Sequence, residues 1–551
     1  MAWKLHHRPR STDVPGRAPG KEMTMKRRDF LIGAAGAGAA LAAPHIARAA
    51  GKPLKFVPQA NLANLDPIWG TQYVVRNASL MIWDTLYGVD ATLTPKPQMA
   101  EGHEVSDDGK TWTFKLRSGL KWHDGEPVTS KDCVASIKRW SMRDTMGALI
   151  RKQLVAIEPI DDRSFRIVMT KPFGKMLFAI GKSNSPACFI MPERIANTDP
   201  FKQITEIVGS GPMRFVRDEW VPGSHAAFAK FDAYVPRDEP TNWISGGKRM
   251  LLDRIDWQIL PDPATAAAAL QNGEVDWWET PLPDLIPLLK RSGKINVDIA
   301  DPLGNIGSFR MNHLYPPFND VRARQAMLMA LDQTEYMTAV TGGDETLMRT
   351  CPSYFTPGTA LYTEAGGDLL KGPRKYDEAK KLLEASGYKG EPVVLLVATD
   401  IAITKAEGDV TADALKRIGM NVDYVALDWG TVGQRRAKKD PPDKGGWNIF
   451  HTWHAGADCV NPAPYTALDA SGDTAWFGWP KSDAVQAAIH EWYDAAPGDA
   501  EKAAIEKVNR ASFENVTYVP TGFFLGYQAW RKEVSGVVKA PFPVFWGVTK
   551  A

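Results

Sequence analysis

His451, His454, Asp458 and Cys459 stand close together in this chain and are of the residue types that ligate metals. Imidazole, carboxylate and thiolate groups are the usual zinc donors, brought in by tightly spaced pairs. The segment Trp447 to Trp453 reads as a strand, and a strand sends residues three apart to opposite faces. His451 and His454 are therefore expected to diverge, and no metal site is assigned. Asp458 precedes Asn461-Pro462, a setting in which an aspartate caps a turn. The motifs of common catalysts are missing: there is no G-x-S-x-G elbow, no H-E-x-x-H and no G-x-x-x-x-G-K-[ST] phosphate loop. Gly36-Ala37-Gly38 begins like a dinucleotide fingerprint and fails at its third glycine. The absence of these motifs weighs against an enzyme without excluding one, and no cofactor is expected. The alternative is an extracytoplasmic hydrolase or metalloenzyme built on His451, His454 and Asp458.

The elements around these residues are α/β. Trp112, Phe114 and Leu116 alternate with polar neighbours, the period of a half-buried strand, after an Asp108-Gly109 turn. Thr129 or Ser130 caps a helix running to about Trp140. Ile255, Trp257 and Ile259 alternate along a strand. Asp262-Pro263 then starts an Ala-rich helix that stops at Asn272-Gly273, and Val275 to Trp277 begins the next strand. Val393 to Ala398 is a continuous apolar run suited to a strand buried on both faces. A helix from Thr411 to Ile418 follows it, and Val422, Tyr424 and Ala426 alternate again. Each strand–helix–strand unit predicts a right-handed crossover and a parallel pair. Asn319 to Leu331 and Asp377 to Ser386 are further amphipathic helices.

The 551 residues are 44% hydrophobic and 24% charged, which excludes a disordered chain, a fibre or a disulfide-stapled miniature. The net charge of +2 is unevenly placed: residues 1–49 carry +6 and the remainder −4, so the body gives no electrostatic case for nucleic acid. Nineteen tryptophans supply flat, amphipathic contact area for cores and clefts alike. Cys133, Cys188, Cys351 and Cys459 are widely spaced and read as buried thiols in preference to any of the three possible disulfide pairings. Met25-Lys-Arg-Arg-Asp-Phe-Leu-Ile32 opens on adjacent arginines, and the uncharged stretch Phe30 to Ala43 is too short to span a bilayer. Ala47-Arg48-Ala49 has the small-x-small pattern of a cleavage site. This segment resembles a twin-arginine signal peptide with Arg27 and Arg28 as the pair and cleavage between Ala49 and Ala50. Met23 or Met25 is then the expected initiator, and the mature protein is expected to be periplasmic.

A second resemblance covers the body of the chain. Its residues are Leu65-Asp-Pro67, the stretch Glu101 to Thr129, Gly209-Ser-Gly-Pro212, Pro317 to Ala326, Tyr376-Asp-Glu-Ala-Lys380 and Trp453 to Pro462. In order from about residue 54 to 551, these resemble the extracytoplasmic solute-binding proteins of ATP-binding cassette importers, in the peptide/nickel/opine-type group, family 5. The resemblance implies a large type II periplasmic-binding-protein fold, with two α/β lobes, a hinge and cleft between them, and an extra subdomain in lobe I. It places the leader at 1–49, lobe I at 50–311, lobe II at 312–521 and a return to lobe I at 522–551.

It also implies site residues. The family's ligand-contacting loop falls on Thr71, Gln72 and Tyr73. Asp458 takes the position of the aspartate that holds a peptide's α-amino group, with Asn461 where a second acid is usual. A carboxylate shielded by aromatic walls attracts an ammonium more strongly than one in water. Trp429, Trp453 and Trp476 are candidate cleft walls, each with a core position as the alternative, and Trp479 is read as structural. The implied partners are a small solute, foremost a peptide or peptide-like compound, and a membrane permease energised by ATPase subunits; the protein itself is expected to be a monomer. An opine, metal chelate or glycoside is the alternative ligand, and solute sensing the alternative role.

Overall fold

The computed structural model describes residues 52–551 apart from Pro497; the expected signal and cleavage residues Arg27, Arg28, Ala49 and Ala50 lie outside the described residues.

Two large sheets organise the chain. In the first, seven strands run in the order Ile295–Ile299, Tyr527–Arg531, Trp277–Trp278, Leu54–Val57, Arg254–Gln258, His225–Lys230 and Met213–Phe215. The second has six, in the order Met348–Arg349, Val519–Phe524, Asn305–Met311, Ile449–Ala455, Val393–Ala398 and Val422–Leu427. The chain crosses from the first sheet to the second through residues 300–304 and returns through 525–526. The two crossings lie side by side, with Ala300 N donating to Gly526 O at 2.8 Å. The expected divisions at 311/312 and 521/522 are thus displaced: Asn305–Met311 is hydrogen-bonded into the second sheet on both of its edges, and Val519–Phe524 stays in that sheet to its end. A third, antiparallel sheet of four strands is formed by Ala100–Val105, Thr111–Leu116, Ser164–Met169 and Leu154–Pro159. Phe114 stacks there on Phe165 with ring centroids 5.2 Å apart.

Local signals place most elements where they are expected. Thr129 and Asp132 form a reciprocal capping box on the helix Ser130–Trp140, satisfying donors that a helix start leaves free. Asp262 accepts from Thr265 N at the start of the helix Pro263–Asn272, and Gly273 closes it with φ of 80°, a left-handed conformation that glycine adopts without a Cβ penalty. Val393–Ala398 is buried throughout and pairs in parallel with Val422–Leu427. All four cysteines are buried and free.

Two expectations about single elements also fail. The strands flanking the first helix are parallel but not adjacent: Leu54–Val57 inserts between them and bonds to both, Leu54 opposite Ile255 and Phe56 opposite Trp277. This N-terminal strand is four residues long and carries too little pattern to be read locally. The helix expected from Thr411 begins at Ala402. Its first turns carry Glu407 and Gly408, which break the apolar stripe yet are buried; a Cβ on Gly408 would meet Val397 at 2.7 Å.

Candidate functional site

Thr71 and Gln72 lead into the helix Tyr73–Ile82 from the first sheet's side, and each reaches the second. Thr71 Oγ1 accepts from Arg436 Nη2 at 3.2 Å and from Trp476 Nε1 at 3.1 Å. Gln72 does not cap the helix with its side chain. Its amide accepts from Asn64 Nδ2 and donates to Trp429 O at 3.3 Å. Tyr73 donates its phenol proton to Asp458 Oδ2 at 2.7 Å and accepts from Ala455 N at 2.8 Å.

A strand of the second sheet and two segments beside it complete the place. The helix Trp429–Arg435, capped by Asp428 on Thr431 N, presents Trp429 at its start and Arg436 just past its end. The strand Ile449–Ala455 presents Trp453, whose ring stacks on Trp429 with centroids 6.3 Å apart and planes 23° apart. The turn Gly456–Cys459 then presents Asp458, 6% exposed. Together with the half-buried Trp476, these residues line a cavity of about 50 Å³ to which Thr71, Gln72, Tyr73, Trp429, Trp453, Asp458 and Trp476 all contribute. The two groups of candidate positions, far apart in sequence (357 residues between Gln72 and Trp429), converge there.

The electrostatics of this cavity are unbalanced in two places. Burial raises the Asp458 carboxyl above its usual range, partly offset by the nearby Arg76 charge and the Tyr73 hydrogen bond. Burial lowers the Arg436 guanidinium to about 9. Arg436 is 2% exposed, and its Nε has no hydrogen-bond partner among the described residues. It is packed over the rings of Trp429 at 5.0 Å and Phe477 at 4.9 Å. Buried charges are ordinarily paired; this cavity holds one of each sign, and neither forms an ion pair with a side chain among the described residues. The turn-capping alternative for Asp458 falls to another residue, because Asn461 Oδ1 is what accepts Ala463 N, at 2.9 Å.

His451 and His454 do face apart. His451 bonds Thr411 Oγ1 at 2.7 Å under the helix Ala402–Arg417, while His454 packs against Tyr465, Trp476 and Tyr518. Burial lowers both imidazoles to about 3, so both are neutral. Trp479 packs on Trp447, away from the cavity lining.

Sequence reasoning missed Arg436 and the residues of a larger adjoining cavity. Arg436 follows Trp429 by seven residues, two helical turns, and that spacing is a readable signal for a shared face. The larger cavity, of about 380 Å³, lies between the two sheets at the crossings and shares Gln59, Tyr73 and Trp453 with the smaller one. Glu279 and Asp301 line it, and burial pushes each carboxyl up to about 7.

Two α/β lobes with a lined cleft where the chain crosses between them define a solute-binding protein of the type II periplasmic form. The comparisons agree with that class. The model for bacterial extracellular solute-binding proteins, family 5, middle region, matches residues 94–476. A probable peptide ABC transporter periplasmic-binding protein of Sinorhizobium fredii is 37% identical over 543 residues, covering 96% of this chain and 100% of the relative. Among solved structures, the periplasmic binding protein AgaA of A. tumefaciens R10, in complex with agropinic acid, superimposes with a TM-score of 0.75 at 21% identity, over 91% of this chain and 99% of that one. A dipeptide-binding protein of Pseudoalteromonas sp. SM9913, in complex with Met-Leu, gives 0.74 at 19% identity, over 91% and 100%. The protein belongs to the bacterial extracellular solute-binding proteins, family 5.

Proposed function

We propose that this protein is the substrate-binding component of an ABC importer, capturing a small peptide or peptide-like solute between its lobes and delivering it to a membrane permease. It works as a periplasmic monomer exported by the twin-arginine route, with lobe I formed by residues 52–299 and 527–551 and lobe II by 305–524. The observation that carries the reading is the pair of unbalanced charges in one aromatic-lined cavity. Asp458 fits the α-amino group of a ligand and Arg436 its carboxylate, with Trp429 and Trp453 as walls and Thr71, Gln72 and Tyr73 closing from the other lobe. The relative from Sinorhizobium fredii, named for peptide transport, supports the same ligand class.

Native mass spectrometry of gently purified mature protein, beginning at Ala50, tests this directly. A ladder of di- to oligopeptide masses, lost in Asp458→Asn, is the expected result. Titration should then show Asp458→Asn weakening free-amine peptides by about 2–5 kcal/mol, the cost of truncating one partner of a buried charge pair. N-acetylated peptides should bind both proteins alike. A single non-peptide mass retained by Asp458→Asn would move the ligand to the opine or chelate class.

A further inference from the structure

The larger cavity has a charge character of its own. Glu279, Asp301, Asp400 and Asp428 line it, and Arg76 is the one basic side chain among its described lining residues. None of the four carboxylates lies within ion-pair distance of a Lys or Arg among the described residues. Glu279 accepts from neutral donors, Gln59 N at 2.8 Å and Asn77 Nδ2 at 2.9 Å. Asp301 is 6% exposed; its Oδ1 accepts from Leu303 N at 2.9 Å, and its Oδ2 has no partner among the described residues. Arg76 offsets this excess only in part and forms an ion pair with none of the four among the described residues. Its Nη2 donates to Pro541 O at 2.7 Å and to Asn77 Oδ1 at 3.1 Å, its plane lies over Tyr73 at 4.3 Å, and its Nη1 is unpartnered.

A buried carboxyl in the lining of a cavity of about 380 Å³, with one oxygen unpartnered, lacks a counter-charge. The rest of the lining suits the stem of an organic cation better than a bare ion: Trp277, Trp278, Leu260, Pro283 and Phe542 offer ring faces and apolar surface. The volume falls in the range of small-molecule sites. Gln59, Tyr73 and Trp453 border both cavities, so the two adjoin at these side chains.

We propose that the larger cavity is a subsite for an organic cation, a basic side chain or second amine of the captured solute, with Asp301 taking its charge. This deepens, and rests on, the assignment of the smaller cavity to a peptide-like ligand. The preferred substrates are then basic peptides.

Calorimetric titration of the mature protein with paired tripeptides tests it, each pair carrying lysine or its uncharged isostere norleucine at the first, second or third position. At one position lysine should bind at least about tenfold tighter than norleucine. Asp301→Asn should bring that ratio to within about threefold, and Glu279→Gln should lower it in the same direction. Peptides that bind with no lysine preference at any position would overturn the subsite while leaving peptide capture intact. If no peptide binds, peptide capture itself fails, and agmatine becomes the probe. A thermal shift by agmatine that Asp301→Asn removes would uphold the cation subsite, and no shift in the wild type would overturn it.

Discussion

Arg436 is the residue in which the energetics of this cleft are most exposed. A guanidinium packed among Trp429, Phe450, Trp476 and Phe477 with one hydrogen bond, to Thr71, gives up its hydration for little return. Arg310 makes the contrast: equally buried, it donates to four backbone carbonyls, those of Ala467, Trp476, Phe477 and Thr517. Arg310 has the contacts of a structural brace, whereas Arg436 has only ring faces and one hydrogen bond to set against its lost hydration; under the proposed function, the carboxylate of the ligand supplies the missing partner. Arg436→Met, which keeps apolar contact with the rings, should therefore leave the midpoint of thermal unfolding unchanged or raise it in the ligand-free protein. The same variant should weaken peptides with a free carboxylate by about 2–5 kcal/mol and bind C-terminally amidated peptides as the wild type does. Calorimetry on the two peptide forms separates these effects. A variant that loses stability and keeps carboxylate binding would make Arg436 a second brace.

At the scale of elements, the helix Ala402–Arg417 packs on the strand of the second sheet that carries Trp453. It lies over Val393–Ala398 and Ile449–Ala455, and Gly408 allows the close approach to Val397. Gly408→Ala should destabilise the protein by about 1–3 kcal/mol through overpacking, against the small gain that alanine gives in a helix. Urea unfolding measures the balance, and a stabilised variant would mean that the helix can lift from the sheet without cost. Glu407, the neighbour of Gly408, also explains why this element was only half legible. Its carboxyl is buried on Thr521 Oγ1 at 2.5 Å, so a charged residue in sequence is an interior one in the fold. Elements whose evidence is local were legible: the alternation at Trp112, Phe114 and Leu116, the helix start at Thr129 or Ser130, which falls to Thr129, and the Asp262 and Gly273 boundaries. The insertion of Leu54–Val57 between two parallel strands was not, because sheet order is set by tertiary packing that no window of sequence contains. The site divides in the same way. Thr71 to Tyr73 and Asp458 were candidates through the resemblance alone, and the fold brings them to one cavity, while Asp301 and Glu279 share a lining through tertiary packing that no local pattern carries.

For the whole molecule, the placement of ionisable groups at the junction of the lobes couples stability to pH. Asp301 is pushed up to about 7 by burial, with Asp458 adding to the rise and Arg76 opposing it, whereas an unfolded aspartate titrates near about 4. The folded protein thus holds this proton more tightly than the unfolded chain does. The stability tied to Asp301 is complete below about pH 4, falls as pH rises to about 7, and stays lost above it. A raw melting curve mixes this with opposite contributions. His123, His451 and His454 are depressed by burial, to about 4, about 3 and about 3, and their stabilising effect grows as pH rises toward the usual imidazole value. The difference between Asp301→Asn and wild type isolates the carboxyl, because the histidines are common to both. That difference in melting temperature should favour the variant more at pH 8 than at pH 5, with ligand absent. Adding a basic ligand should reverse it at pH 8, since the ionised Asp301 then has its counter-charge and the asparagine offers none. A difference that is flat from pH 5 to pH 8 would place Asp301 among ordinary, solvated carboxylates and remove the electrostatic reason for a cation to enter the cleft.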